Sequence, residues 1–161
     1  MRKLTDDATS QHCLNVAYHY LTYRARSEVE LRQYLHKRGF GDEVVGEIIT
    51  RLKEQGLIDD VAFAQFWRDS RLSSKPRSKR LISQELKEKK VAEDTIKQVT
   101  NDIDDEESAY KLACCRVHML AHLDYPDFQR RLSNYLAYRG FSYDVIRQTV
   151  SRLWKEKQSR T

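Results

Sequence analysis

Cys114, His118 and His122 recur every fourth residue, so on a helix they would share one stripe. A thiolate and two imidazoles are zinc chemistry, but three ligands from one helix still need a fourth from elsewhere. The stripe also spans two turns, which is long for one small ion. The expected arrangement is a buried Cys114 beside two partly exposed histidines, with no metal bound. Motifs of common catalysis are absent: there is no GxGxxG, GxxxxGK[ST], HExxH or GxSxG. Acidic residues are plentiful, but they stand at helix starts and on polar faces, where capping and solubility explain them. The expectation is a protein that is not an enzyme and carries no cofactor.

The second group able to do chemistry is cationic. The stretch RLSSKPRSKRLISQELKEKK, Arg71–Lys90, holds eight basic residues against two acidic ones. Formal net charge is +5, and the excess lies in the last two thirds. Residues 1–60 hold 9 basic and 10 acidic side chains, whereas 61–104 and 105–161 each hold 10 and 7. Such a balance favours an acidic partner or nucleic-acid phosphate. Candidate binding residues are Arg71, Lys75, Arg77, Lys79 and Arg80, a cluster with no acidic residue inside it. Arg24 and Arg26 precede it, and Arg130 and Arg131 follow. Aromatic rings interleave with these cations: Tyr18, Tyr20 and Tyr23 near Arg24, and Phe66 and Trp67 near Arg68. Stacking on single-stranded bases uses such pairs. Helical spacing places Phe66 and Trp67 in the core and leaves Tyr20 and Tyr23 the better candidates for exposure.

The elements that must position these residues can be read from a repeated phrase. LRQYLHKRGF, Leu31–Phe40, and LSNYLAYRGF, Leu132–Phe141, share leucine, tyrosine, arginine, glycine and phenylalanine at the same places. Beyond each phrase an apolar stripe continues: Val44, Val45, Ile48, Ile49, Leu52 in one copy, Val145, Ile146, Thr149, Val150, Leu153 in the other. That spacing predicts a helix, a tight turn at Gly39 or Gly140, and a second helix. A weaker copy stands between them at Ile82, Leu86, Val91, Ile96, Val99 and Ile103, with Lys90 in the glycine's place. That turn must close differently or carry strain. A period near fifty residues signals a helical repeat array.

One further helix precedes each pair, near Cys13–Arg24, Val61–Leu72 and Ser108–Ala121. Ser27 with Glu30 spells a capping box, and Pro76 and Pro126 fit first helical turns. The predicted architecture is all-α, an elongated, curved array of three tandem three-helix repeats. The repeats span 13–58, 60–103 and 106–155, with tails at 1–12 and 156–161. Only five Gly and two Pro, with 40% hydrophobic residues, argue against a turn-rich β fold and against disorder. Three cysteines form no CxxC pair or even framework, which suits a reducing cytoplasm. No apolar run is long enough to span a membrane. A groove-reading helix-turn-helix fits poorly in the first copy, because Asp42, Glu43 and Glu47 open its second helix and would oppose phosphate, whereas Ser142, Tyr143, Arg147 and Gln148 in the third copy are more permissive.

The stretch GLIDDVAFAQFW, Gly56–Trp67, resembles the signature of the RecX family of RecA regulators. The early S-E-x-E-L-R-x-x-L at Ser27–Leu35 resembles that family's first unit. Arg71, Lys75, Ile82, Gln84, Glu85 and Leu86 are similar to its central pattern, and LAYRGFSYDVI, Leu136–Ile146, to its last unit. The chain departs at Lys75-Pro76 and at Lys89-Lys90-Val91, where the family usually places Lys-Gly. The resemblance implies a non-catalytic monomer that binds the RecA filament on single-stranded DNA. It implies inhibition of strand exchange, ATP hydrolysis and co-protease activity, and so a role in DNA repair, recombination and the SOS response. DNA would be met directly or through the filament. The other reading is a helical-repeat protein acting directly on single- or double-stranded DNA.

Overall fold

The computed structural model describes residues 2–160. Its elements are α1 (Arg2–Tyr23), α2 (Glu28–Lys37), α3 (Asp42–Glu54), α4 (Asp60–Ser73), α5 (Lys79–Glu88), α6 (Glu93–Thr100), α7 (Asp105–Val117), α8 (Tyr125–Tyr138) and α9 (Tyr143–Ser159). A short 3-10 turn, His118–Leu120, follows α7. No strand occurs among the described residues. The helices form three successive trios, α1–α3, α4–α6 and α7–α9. Two compact units emerge: one runs through Trp67 and includes Leu86–Ile96, the other holds Arg68–Glu85 and everything from Lys97. The middle trio is thus divided between the units.

In the first unit, Cys13, Leu14 and Ala17 of α1 meet Leu31 and Leu35 of α2 and Val45, Ile48, Ile49 and Leu52 of α3. In the second, Ala109, Leu112 and Ala113 of α7 meet Phe128, Leu132 and Leu136 of α8 and Ile146, Val150 and Leu153 of α9. The stripe predicted for all three copies is buried: Leu35, Leu86 and Leu136 are each fully enclosed. Each such leucine contributes about 2 kcal/mol by leaving water.

Between the paired helices the chain closes in one way. Gly39 has φ of +91°, its N–H bonds the His36 carbonyl at 2.9 Å, and the Phe40 N–H bonds the Leu35 carbonyl at 3.3 Å. Gly140, at φ +87°, repeats this with Ala137 and Leu136. This is the paired-bond helix ending that a left-handed residue permits. Lys90 adopts φ of +60°, and the same two bonds run from Lys90 to Lys87 and from Val91 to Leu86. The central turn therefore keeps the common geometry, and a non-glycine residue bears the left-handed backbone.

Helix starts agree in part with the sequence. Ser27 and Glu30 form the reciprocal capping box, and Pro126 lies in the first turn of α8. Pro76 does not open a helix. It is buried three residues before α5, and Ser78 makes the cap, its Oγ accepting the Leu81 N–H at 3.1 Å. The segment expected as an N-terminal tail is helical from Arg2, since no glycine or proline interrupts it. At the other end α9 continues to Ser159. The third repeat's first helix stops at Val117, short of Ala121.

Candidate partner-binding surface

The linker cluster was singled out because no acidic residue interrupts it, but folding brings one in. Glu85 of α5, with a side chain only 13% exposed, accepts Arg71 Nε at 2.7 Å and also pairs with Arg77. Arg71 and Arg77 thus point at a half-buried carboxylate and brace the linker against α5. Lys75, Lys79 and Arg80 remain exposed. Two cations opening a helix face the positive end of its dipole. Asp105 offsets this in part, accepting the Lys79 backbone N–H at 2.8 Å.

Arg24 is also engaged, donating to Glu30 Oε1 at 2.8 Å, and Lys89 reaches the same oxygen at 3.0 Å. Burial pushes the Glu30 carboxyl up, but hydrogen bonds from Arg24, Lys89 and the Ser27 backbone outweigh it and bring it down to about 2. Arg26 lies 4.0 Å over the ring of Tyr20. Arg130 forms an exposed pair with Asp127 at 2.7 Å, and Arg131 is exposed. Of the nine candidate cations, Lys75, Lys79, Arg80 and Arg131 are therefore the outward ones. The other five hold intramolecular partners.

The aromatic candidates divide likewise. Tyr20 stacks on Tyr34 at 3.8 Å and 4°, with Arg26 over Tyr20 and Arg38 5.1 Å from the centre of Tyr34. That column is closed by its own members, so Tyr20 offers no free face. Tyr23 is 70% exposed, with its hydroxyl 3.2 Å from His19 Nε2. Phe66, expected in the core, is exposed, and Trp67 is half-buried. Phe63 and Ala64 take the buried side of α4 instead.

Of two outward tyrosines, Tyr143 is among the permissive third-copy residues and Tyr138 escaped the sequence reading. Tyr138 is 82% exposed and Tyr143 77%, one on each side of the Gly140 turn. The available signal for Tyr138 was its place in the repeated phrase, where the first copy has Lys37. The phrase also repeats a Tyr–Arg pair one helical turn apart. Arg139 stands 5.8 Å over Tyr135, as Arg38 does over Tyr34, and Arg116 adds a second guanidinium at 4.5 Å from Tyr135.

The metal-like stripe does not form. α7 ends at Val117, so Cys114, His118 and His122 do not share one helix. Cys114 is exposed, contrary to the expected burial. Among the described residues no group of three metal-ligating side chains converges. Cys114 and His118 instead border a groove of about 420 Å³ with Tyr110, Leu153, Glu156 and Lys157. There Tyr110 donates to Glu156 at 2.9 Å and Arg152 donates to the other oxygen at 3.0 Å. The Tyr110 bond, then that of Arg152, holds the Glu156 carboxyl below its ordinary range. The thiol that is buried is Cys13, which desolvation, and then Glu47, push up to about 11. A protonated thiol of that kind is a packing residue and not a nucleophile.

No described helix is long and apolar enough to cross a membrane. Models of the first, second and third three-helix domains of RecX match residues 13–52, 59–99 and 104–150. A "Regulatory protein RecX" of Mycobacterium avium is 38% identical over 146 residues, covering 87% of this chain and 84% of that protein. The "Regulatory protein RecX" of Prosthecochloris aestuarii is 31% identical, covering 91% of this chain and 97% of that one. The crystal structure of RecX from Lactobacillus salivarius superposes with a TM-score of 0.77 at 23% identity, over 91% of this chain and 97% of that chain. Three matching domains in order, with relatives similar along nearly their whole length, show that this chain belongs to the RecX family.

Proposed function

We propose that this protein regulates RecA by binding the filament that RecA forms on single-stranded DNA. Bound there, it inhibits strand exchange, ATP hydrolysis and co-protease activity, and so tempers recombination, repair and the SOS response. It acts as a cytoplasmic monomer. The observation that carries this reading is family membership along the whole run of three repeats. The outward cations support it, since Lys75, Lys79, Arg80 and Arg131 offer positive charge to acidic protein or to phosphate.

The test is suppression of RecA's DNA-dependent ATP hydrolysis by substoichiometric protein. Changing Lys75, Lys79 and Arg80 together to Glu lowers filament binding about tenfold, a loss of about 1.4 kcal/mol, with helicity kept. Undiminished binding by the triple variant removes this patch from the interface. Tight, steeply salt-dependent binding to naked DNA, with no preference for the RecA-coated strand, would replace this reading with that of a direct DNA-binding protein.

A further inference from the structure

The third repeat carries a cationic, aromatic depression that the linker cluster does not explain. Arg116, Met119, Leu120, Arg131, Asn134 and Tyr135 line a space of about 490 Å³ between the end of α7 and α8. Arg116 lies against the Tyr135 ring at 4.5 Å. A guanidinium packed against a ring by cation–π attraction can still present N–H donors to a bidentate acceptor. Arg131 is exposed close by, and the acid one turn away, Asp127, is taken by Arg130 at 2.7 Å. Three, four and seven residues on from Arg131 come Asn134, Tyr135 and Tyr138, so all four sit along one side of α8. Tyr138 is 82% exposed, and Tyr143 stands outward beyond the turn.

The first repeat shows what closes such a face. Where α8 has Arg131, Asn134 and Tyr138, α2 has Glu30, Gln33 and Lys37. Glu30 draws in Arg24 and Lys89, and Tyr20 covers Tyr34. The third repeat replaces that carboxylate with an arginine and puts an exposed ring where the first has a lysine.

We propose that this side of α8 is a binding site for single-stranded nucleic acid. Arg116 and Arg131 each hold a backbone phosphate, Tyr138 stacks on a base, and Asn134 bonds a base edge. The ligand is a single strand because a duplex has both faces of its bases covered, and only an unpaired base can lie on an outward ring. An acidic peptide would satisfy the two arginines but leave the exposed rings without a role. The site deepens the filament reading and rests on it: a regulator docked on a nucleoprotein filament would touch the strand through this repeat.

The experiment measures anisotropy of a fluorescein-labelled thirty-nucleotide oligothymidine against the full chain at low salt, with the matching duplex as comparison. Arg116→Ala with Arg131→Ala weakens binding at least tenfold and flattens the salt dependence by about 1.4 in log–log slope, the value for two phosphate contacts on a single strand. Tyr138→Ala weakens it roughly tenfold, within the range for one lost base stack. Lys111→Ala, at a lysine paired with Glu107 on α7, leaves it unchanged. Single-strand binding that survives both sets of changes overturns the site, as does equal affinity for duplex. RecA ATP hydrolysis on the same proteins separates the two readings. Suppression by the wild type and the variants alike, with no binding of free oligonucleotide, sinks this inference and leaves the proposed function standing. Oligonucleotide binding that needs these residues, with no effect on RecA, does the reverse.

Discussion

Gly39 and Gly140 occupy the same place in the same repeated phrase and have nearly the same backbone, at φ +91° and +87°. Their surroundings are opposite. A Cβ at Gly39 would meet nothing within 4 Å, whereas one at Gly140 would lie 2.6 Å from Ser78 Oγ and 2.9 Å from Leu81 Cβ. Neither neighbour can yield cheaply. Ser78 is fully buried, caps α5 with its hydroxyl, and donates its N–H to the Arg139 carbonyl at 3.0 Å. Gly39 answers only to its own turn. Gly140 also answers to the start of another repeat's helix. Identical letters can therefore differ in what they are required for, and only the packing tells them apart.

The largest expected effect tests that difference. Gly140→Ala adds an overpacked contact to an unfavourable φ and costs about 3 kcal/mol, read as a fall in the urea midpoint. A cost equal to that of Gly39→Ala would mean that the Ser78 contact does not constrain the turn.

The next contrast is at Glu30, whose counterpart in the third repeat is Arg131. The Glu30 carboxyl is depressed to about 2, below its unfolded range near 4.5. Its stabilising effect is therefore complete above pH 4.5 and is lost as pH falls toward 2. Glu30→Gln, about 3 kcal/mol less stable at pH 7 by this linkage, loses less on acidification than the wild type does. Parallel stability curves for the two proteins between pH 5 and 2 would show that Glu30 is not the group responsible.

Gly39→Ala comes third, at about 1 kcal/mol, because only the left-handed backbone resists it. The smallest effect has the opposite sign. Lys90→Gly relieves the same backbone in the central turn and stabilises by somewhat under 1 kcal/mol. A destabilised Lys90→Gly would show that the lysine side chain contributes more there than its φ costs.

Much of the fold was legible because burial is periodic. Leu31, Ile82 and Leu132, and then Leu35, Leu86 and Leu136, are fully enclosed, as their spacing predicted. The central turn was legible only as a choice: a lysine in a glycine's place meant another closure or a strained one, and the structure keeps the common two bonds with Lys90 bearing the left-handed backbone. The binding surface was the least readable. Arg71 and Arg77 looked free because Glu85 is eight residues beyond the nearer of them, and a charge count along the chain does not report which carboxylate folds back. Phe66 went astray because α4 needs only one buried side, and Phe63 with Ala64 fills it. Tyr138 went unnoticed because tyrosine at helical spacing reads as core until its exposure is known.

The bond from the Ser78 amide to the Arg139 carbonyl joins one repeat to the next through main-chain atoms alone. Such a joint is indifferent to most of the lettering around it. Side chains flanking it can drift, charges can be exchanged, and the splice survives so long as Gly140 stays bare. A designer wishing to graft a foreign third repeat onto this chain would need to preserve that one unadorned position before anything else.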